Sequence, residues 1–449
     1  MAAARRSGIY GAAVAAAVLV AASGLAAAAA AAAGAPGGAA RTVAVRVGAV
    51  PARAVPAHVA GPASTSSFDI LDGVACPSAK NCWAAGEQAG KAALLNQMLH
   101  WNGTSWRSFR VPNPGGSGSD HISELSAVRC VSSRDCWAVG LYLATKATLD
   151  MALHWNGKKW SLVKTPAPGG TTKGKTNTLV DAACIAAANC WTVGDYGHRT
   201  GSSNASLNQV LHWNGRKWSQ AHVPNPGGVH TGDYNELFGI RCPAAKECLA
   251  VGQAGTGTVT TSTSTLRNEA LRWNGKKWHE MPTPQPGGSA AGDIAELNSV
   301  ACGSPSRCWA VGSYGTLMPT ITSAAEILRW NGSKWTRASA PDTHGTSTGR
   351  DNQLIGATCF GASNCWAVGS YDSATTGAAL NEIVHWNGSK WRFVHAPSPG
   401  GTGSGDLSFL IGVRCTARAN CWAVGTQHAN GGAYLNEILH WNGHKWSVH

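Results

Sequence analysis

Fourteen cysteines form seven pairs of identical spacing, and this regularity constrains the fold more than any other feature of the chain. Each pair has the pattern Cys-x5-Cys, and no cysteine is left over. Successive pairs begin 54 to 60 residues apart, and a period of this size indicates a repeat architecture. The pairs are Cys76/Cys82, Cys130/Cys136, Cys184/Cys190, Cys242/Cys248, Cys302/Cys308, Cys359/Cys365 and Cys415/Cys421.

Paired cysteines can hold either a disulfide or a zinc ion. Cys-x5-Cys is wider than the usual zinc-ligand spacing, and no second cysteine pair or histidine couplet completes a site within a repeat. Disulfides persist in oxidising compartments outside the cytosol. We therefore expect one disulfide in each repeat, an exported protein, and no metal or other cofactor.

The start of the chain is typical of a secretory signal. Arg5 and Arg6 precede an almost uncharged run rich in alanine, valine and leucine. A retained membrane anchor is the alternative, but alanine is weakly apolar and a Pro/Gly/Ala tail follows. We expect a signal peptide over 1–34, a flexible linker over 35–65 and the repeats over 66–449, with no transmembrane segment after cleavage. The mature protein is expected to be secreted or associated with the cell surface.

One repeat contains four short apolar runs separated by turn signals. In the second repeat the first run ends at Cys130, and the second restarts at Cys136. A third run ends at Trp155, where Asn156-Gly157 follows, and a short fourth run precedes a Pro/Gly cluster. No helical period is present, so the pattern predicts four antiparallel strands, with the disulfide closing the first hairpin.

A Trp-Asn-Gly-x-x-Trp motif recurs in all seven repeats. Asn-Gly is a strong signal for a two-residue type I′ hairpin, which would place the two tryptophans on one face, on a diagonal. A third tryptophan follows the second cysteine in six repeats, and Leu249 replaces it in the fourth. These positions account for all 20 tryptophans. We interpret them as core residues rather than as ligand platforms.

Seven units of four strands predict an all-β fold, a seven-bladed β-propeller of four-stranded antiparallel blades with one disulfide within a hairpin of each blade. The alternative is an open solenoid, which usually needs polar capping repeats. The seventh repeat is as complete as the others and has no polar cap. We therefore expect a ring that closes by packing the first blade against the last, and a monomer.

The repeat motifs resemble those of a known group of proteins. Cys-Trp-Ala-Val-Gly, at 136–140, 308–312, 365–369 and 421–425, and Trp-Asn-Gly-x-x-Trp are similar to repeats in secreted proteins of high-GC Gram-positive bacteria. The resemblance covers about residues 70–449 and implies export without implying an activity. A broader similarity is to kelch and galactose-oxidase-like propellers, although the paired kelch glycines, a copper-radical site and the sialidase Asp-box have no counterpart.

Variation in length points to a binding face. The distance from the second cysteine to the following Trp-Asn-Gly changes from repeat to repeat, whereas the other intervals between landmarks are constant. The variable segment is the loop between the second and third strands. In a propeller these loops share one face with the connections between blades, and variable loops on a fixed scaffold often carry function. We expect this face to bind a glycan or a protein.

Two kinds of side chain are candidate ligands near that face. Tyrosines lie two positions after the glycine of the second strand, where aromatic rings could stack on sugars or fill the blade edge. Carboxylates lie near the start of the first strand, where they could line the channel mouth or stabilise turns. The candidates are Tyr142, Tyr196, Tyr314, Tyr371, Asp120, Asp233, Asp293, Asp351, Asp406, Glu124, Glu236 and Glu296. The fourteen paired cysteines complete the set of predicted site residues, as disulfides.

Charge suggests further partners and excludes others. The net charge is +13, and basic residues such as Lys158 and Lys159 follow the Asn-Gly turns. Lysines there could protect the outer strand from edge pairing or contact an anionic cell-wall polymer. No nucleic acid is expected, because the tryptophans needed for stacking are committed to packing. A non-enzymatic binding or scaffold role is favoured, with a carbohydrate hydrolase or lyase using two of the named carboxylates as the alternative.

Overall fold

The computed structural model describes residues 68–119, 121–144, 146–200, 203–256, 265–316, 322–341 and 351–449. The expected signal peptide and linker fall outside these ranges, as does Asp120. The described residues are strands, turns and connecting loops. Within these ranges there is no helix of the length and hydropathy needed to cross a membrane.

The described strands form seven four-stranded units, which we call blades. Each blade contributes a first strand, and these are β1 (Asp69–Ser78), β5 (Ser123–Ser132), β9 (Asn177–Ala186), β13 (Tyr234–Ala244), β17 (Asp293–Ser304), β21 (Asn352–Cys359) and β25 (Leu407–Ala417). The second strands are β2 (Asn81–Ala89), β6 (Asp135–Ala144), β10 (Asn189–Thr200), β14 (Glu247–Thr256), β18 (Arg307–Thr316), β22 (Cys365–Asp372) and β26 (Asn420–His428).

The outer two strands of each blade are joined by the Asn-Gly turns. The third strands are β3 (Leu94–Trp101), β7 (Ala147–Trp155), β11 (Ser203–Trp213), β15 (Thr265–Trp273), β19 (Thr322–Trp330), β23 (Ala379–Trp386) and β27 (Leu435–Trp441). The fourth strands are β4 (Trp106–Ser108), β8 (Trp160–Leu162), β12 (Trp218–Gln220), β16 (Trp278–Glu280), β20 (Trp335–Ala338), β24 (Trp391–Phe393) and β28 (Trp446–Val448).

The blades follow one another in a ring. Within each blade the strands pair antiparallel in chain order. Each first strand packs against the first strands of the preceding and following blades, and β1 packs against both β5 and β25. The first strands therefore line the centre of the ring, and the short fourth strands lie at its outer edge.

The expected disulfides are all present. Each of the seven cysteine pairs is bonded and closes the hairpin between the first and second strands of its own blade. Cys130 and Cys136 face each other directly across β5 and β6. No described cysteine is free. A cross-link over so short a loop restricts the unfolded chain, which stabilises the hairpin by about 2 kcal/mol.

The two cysteines of each bridge differ in burial. The second cysteine of each bridge is a core residue, because it lies between the first and third strands of its blade and packs within an interface between blades. No ligand can reach it, so these residues belong to the scaffold and not to a binding surface. Their exposed fraction is 0% for Cys82, Cys136, Cys190, Cys248, Cys308 and Cys421, and 1% for Cys365.

The invariant glycine of the second strand is required by a bulge in the first strand. In the second blade the pairing shifts between Leu125 and Ala127, opposite Gly140. A Cβ atom at Gly140 would overlap the carbonyl oxygen of Glu124. The same shift in register occurs in the other blades, so any side chain here would force the first strand away from its partner.

The Asn-Gly turn differs from the predicted type I′ hairpin. Trp101 and Trp106 pair directly opposite each other, so the loop contains four residues instead of two. Gly103 has a φ of 99°, whereas Asn102 does not have a positive φ. Instead, the Asn102 Oδ1 atom accepts the N–H groups of Thr104 at 2.9 Å and Ser105 at 3.0 Å. The asparagine acts through its side chain as the turn acceptor, and this explains why the diagonal placement of the tryptophans was wrong.

Tryptophans fill the interfaces between blades. Trp83 of the first blade packs against both members of the second blade's pair, with ring centroids 4.9 Å from Trp155 and 5.4 Å from Trp160. The second contact is edge-to-face, an arrangement that aromatic rings prefer. Equivalent groups of three join blades two to three, three to four, five to six and six to seven.

The same tryptophan group closes the ring. Trp422 of the last blade packs against Trp101 at 4.9 Å and Trp106 at 5.2 Å in the first blade. The Asp69 backbone N–H also donates to the Tyr434 carbonyl oxygen at 3.1 Å. Closure therefore uses the packing found at the other interfaces, supported by this backbone hydrogen bond and by the Thr426 hydroxyl, which donates to the Asp69 carbonyl oxygen at 3.0 Å.

We expect Trp422→Ala and Trp366→Ala to destabilise the protein equally, by about 3–5 kcal/mol each, because both remove a buried indole from the same kind of interface. The two side chains are matched, each having 1% of its surface exposed. Equilibrium urea unfolding of the oxidised protein, followed by circular dichroism, measures both values. A Trp422→Ala loss of a few tenths of a kcal/mol beside a full Trp366→Ala loss would contradict closure of the ring by packing.

Candidate functional site

The two faces of the ring are distinguished by their turns. The Trp155 indole Nε1 donates to the Ser133 carbonyl oxygen in the disulfide turn at 3.1 Å, and Trp101 contacts Ala79 in the same way at 3.2 Å. The Asn-Gly turns and the disulfide turns therefore share one face, which we call the disulfide face. The loops between second and third strands emerge at the opposite end of the blades, which we call the loop face.

The four candidate tyrosines lie near the ends of second strands at the loop face, but they are only partly exposed. Three of them contact the fourth strand of their own blade. The Tyr314 hydroxyl accepts a hydrogen bond from Arg337 at 2.6 Å, and that guanidinium also lies 4.7 Å from the centre of the ring. Tyr371 packs edge-on against Phe393 at 6.1 Å. Burial raises the pKa of Tyr196, which also hydrogen-bonds Gln220. These rings, together with Tyr142, cover the blade edge while leaving part of each ring accessible.

Most of the candidate aspartates hold turns at the loop face. Asp233 accepts the His230 N–H at 2.6 Å, Asp293 accepts the Ala290 N–H at 2.7 Å, and Asp406 accepts the Gly403 N–H at 2.8 Å. Backbone hydrogen bonds from Asn430 and Gly403 lower the pKa of Asp406. These bonds order the connections between blades and leave the carboxylates at the surface of the turn.

Asp351 has a different environment. It is held by the hydroxyl of Ser323 and by the Gln353 amide at 3.1 Å, and burial raises its pKa. The backbone N–H of Asp351 in turn donates to Asp372 at 3.0 Å. The Asp351 side chain thus links the third strand of the fifth blade to the first strand of the sixth, while its backbone N–H contacts the end of β22.

The candidate glutamates lie within the first strands and are buried. Glu236 on β13 accepts the Gln253 amide at 3.3 Å, and Glu296 on β17 accepts the Ser313 hydroxyl at 3.2 Å. Glu124 lies on β5 opposite Leu141 and is 9% exposed. Each glutamate faces the second strand of its own blade, so the three do not form a solvated ring of charge.

A carboxyl pair that the sequence analysis did not select lies between the second and third blades. Asp150 on β7 accepts the Gln209 amide at 2.5 Å, and Asp195 on β10 accepts the Ser206 hydroxyl at 3.0 Å. Burial raises the pKa of Asp195 to about 6. Burial, and then the charge of Asp195, raise the pKa of Asp150 well above its usual value. A carboxyl group whose pKa is raised towards neutrality can act as a general acid or base.

Buried carboxyl groups also form a chain of contacts between third strands. Asn268 donates to both carboxylate oxygens of Glu326 in the next blade at 2.9 Å. The same asparagine donates to the Pro284 carbonyl oxygen at 2.9 Å in the connection that leaves its own blade. Asn208 and Glu269, and Asn381 and Glu437, repeat this link. Burial raises the pKa of both Glu326 and Glu437 to about 8.

A cavity of about 110 Å³ lies at the ring centre near the disulfide face. It is lined by the last residues of the first strands of five blades, including three arginines. Arg129 forms an ion pair with Asp181, with Nη2 and Oδ1 2.8 Å apart. The lining residues are Val74, Ala75, Cys76, Arg129, Cys130, Ala183, Cys184, Arg241, Cys242 and Arg414.

Aligning the repeats would have revealed these arginines. The residue directly before the first cysteine is Arg129, Arg241 or Arg414 in three repeats and an alanine or threonine in the other four. Equivalent positions on first strands meet at the ring centre, so a charged residue recurring there was a usable signal. The carboxyl pair was harder to find, because Asp150 and Asp195 occupy different repeat positions. Among the described residues, no group of three His, Cys, Asp or Glu side chains could hold a metal ion.

Comparison with known proteins defines the class of fold. No family model matches the chain, and no curated protein matches it. A polysaccharide lyase, an ulvan lyase, is similar with a TM-score of 0.52 and 8% identity, covering 82% of this chain and 91% of the lyase. The same type of lyase bound to -[GlcA(1-4)Rha3S]- gives 0.50 and 9% over the same shares. The β-propeller domain of the Trilobed protease from Pyrococcus furiosus gives 0.46 and 7%, covering 85% and 97%.

These likenesses concern the fold alone. The described chain is an all-β protein of four-stranded antiparallel blades, and the similarity to the lyase extends over most of both chains. Seven disulfides are typical of a protein that functions in an oxidising, extracellular environment.

The raised pKa values predict that stability falls as the pH rises. Glu326 and Glu437 hold their protons in the folded state up to about pH 8, whereas the unfolded chain releases them near 4.5. The folded state therefore binds more protons between these values, and the free energy of unfolding decreases across the interval. The double variant E326Q/E437Q keeps one acceptor oxygen at each position and removes the titration. We expect its unfolding free energy to change less with pH and to exceed that of the wild type at about pH 9.

Urea unfolding between about pH 5 and about pH 9 measures this dependence. Glu280→Gln is the control, because Glu280 is an exposed carboxyl group at the end of β16. A double variant with the same slope as the wild type would show that these two carboxyl groups are not the source of the dependence.

Proposed function

We propose that the chain is an exported seven-bladed β-propeller that acts as a non-enzymatic binding module for a glycan at its loop face. The carrying observation is the confinement of length variation to the segment between the second cysteine and the following Trp-Asn-Gly. This segment supplies the loop-face ends of the second and third strands and the connection between them, and in the third blade the added length extends β10 and β11. The disulfide turns and the Asn-Gly turns recur in every blade, and the tryptophan interfaces differ only where Leu249 replaces a tryptophan, so these features serve the scaffold. Rigid scaffolds that present variable loops are common among binding proteins.

The composition of the rim supports a glycan ligand. Tyr196 and Tyr371 are partly exposed near the ends of β10 and β22, and amphipathic aromatic rings suit stacking on sugars. A further aromatic group lies where the ring closes, with Tyr434 centred 5.6 Å from Phe68 and 4.5 Å from His428. The fold likeness to a lyase that was solved with a saccharide is consistent with this class of ligand.

Export is part of the proposal. The basic, alanine-rich start of the chain and the resemblance of its repeats to those of secreted Gram-positive proteins support it, as do the disulfides. Outside the cell the exposed lysines of the disulfide face would meet anionic wall polymers, which gives a second contact that could retain the protein at the surface.

A glycan array followed by calorimetry tests the binding role. We expect Tyr196→Ala and Tyr371→Ala each to weaken binding of the selected glycan about two- to tenfold, because each removes a stacking surface. The matched controls are Lys159→Ala and Lys277→Ala, exposed residues on the disulfide face, which should leave affinity unchanged. Absence of glycan binding by the wild type would favour a scaffold role, and loss of binding in the lysine variants would move the site to the other face.

One observation favours a second candidate, acid–base cleavage of a polysaccharide. Asp150 and Asp195 lie at one blade interface, and the pKa of Asp195 is about 6. Release of reducing ends or unsaturated sugars by the wild type but not by Asp195→Asn would support cleavage over simple binding. Equal product release by Asp195→Asn would exclude this pair.

A further inference from the structure

We infer that the cavity at the ring centre is a binding site for an oxyanion, a phosphate or sulfate group, held by Arg129, Arg241 and Arg414. The site lies at the disulfide face, at the opposite end of the blades from the loops, so it is independent of the glycan site proposed above. Its three arginines come from the second, fourth and seventh blades and line one cavity.

The charges of the cavity wall are unbalanced. Asp181 is shared between the Arg129 guanidinium at 2.8 Å and the Ile240 backbone N–H at 3.0 Å. Arg129 also donates to the Val128 carbonyl oxygen at 2.9 Å. For Arg241 and Arg414, the described part of the chain supplies neither a hydrogen bond nor an ion pair. Two guanidinium groups therefore remain available in a partly buried space.

Burial and mutual repulsion make the charged forms of these guanidinium groups unfavourable. Burial, followed by the charges of Arg241 and Arg129, lowers the pKa of Arg414 to about 9. Burial and the charge of Arg129 lower the pKa of Arg241, while Asp181 acts in the opposite direction. An anion between these groups would relieve the repulsion and accept charge-assisted hydrogen bonds in the forked geometry of arginine.

The size of the cavity and its approach fit a small oxyanion. A volume of about 110 Å³ equals a few water molecules, which is enough for one phosphate or sulfate group but too small for a sugar ring with its substituents. Exposed basic side chains in the surrounding disulfide turns, Lys80, Arg134 and Lys246, would attract anions towards it. The group could be a free ion or a substituent of an anionic polymer.

Titration of the full chain with inorganic phosphate and with sulfate, at constant ionic strength maintained with chloride, tests the site. We expect saturable binding by calorimetry and a rise in Tm that chloride does not produce. Arg241→Gln and Arg414→Gln should each weaken phosphate binding about tenfold or more, because each removes a charge-assisted contact. Arg418→Gln, an exposed arginine on the same face, is the matched control and should change affinity less than about twofold.

The stability of the variants separates loss of the site from loss of the fold. Without added anion, Arg414→Gln should have a Tm at or above that of the wild type, because it removes a repelled charge.

A titration with long-chain polyphosphate distinguishes a free ion from a polymer substituent as the ligand. An affinity per phosphate group equal to that of the free ion indicates a small-ion site, and tighter binding indicates a polymer substituent. The inference is overturned when the wild type binds phosphate and sulfate no better than chloride, or when Arg418→Gln weakens binding as much as Arg414→Gln.

Discussion

The structure depends on one repeated interaction, a tryptophan of the second strand inserted against the tryptophan pair of the next blade. Trp137, for example, lies 4.8 Å from Trp213 and 5.0 Å from Trp218. Short outer strands of three or four residues could not form a stable sheet edge alone, so their tryptophans are held by the neighbouring blade. In the fourth blade a leucine takes the place of the second-strand tryptophan. Leu249 packs with the tryptophan pair of the fifth blade, and the Arg272 guanidinium lies 5.4 Å from the centre of the Trp330 ring.

Local chemistry explains how much of the fold could be predicted from the sequence. The cysteine spacing predicted the hairpin disulfides, because only a tight turn brings such close residues into register, as Cys130 and Cys136 are. The interpretation of the tryptophans as core residues is confirmed for sixteen of the twenty, and the other four, Trp213, Trp273, Trp386 and Trp441, pack partly buried against the core. The Asn-Gly turn was wrong in type, since a dipeptide signal does not reveal whether asparagine acts through its backbone or its side chain. Here the Oδ1 atom of Asn156 accepts the N–H groups of Lys158 and Lys159 at 3.0 Å.

Less of the candidate site than of the fold could be predicted from the sequence. Position near the loop face was predictable for the tyrosines and aspartates, because it follows from strand order alone. Their contacts were not: Asp233 forms a turn hydrogen bond, Tyr314 packs beneath Arg337, and Glu296 is buried. Strand order predicts how far along the ring axis a residue lies. The direction of its side chain also depends on β-bulges and on packing against the neighbouring blade. Roles in ligand binding at these positions stay predictions.

The ring centre imposes a constraint that no single repeat reveals. Seven equivalent positions meet there, so an arginine in every blade would place seven like charges around one narrow space. At low dielectric such repulsion is severe, and even with three arginines burial and then the charges of Arg241 and Arg129 lower the pKa of Arg414. The chain has small residues at Ala75 and Ala183, arginines in three blades, and the carboxylate of Asp181 paired with Arg129. The residue before the first cysteine therefore differs from blade to blade, and this difference gives the ring centre a charge pattern that seven identical repeats could not have.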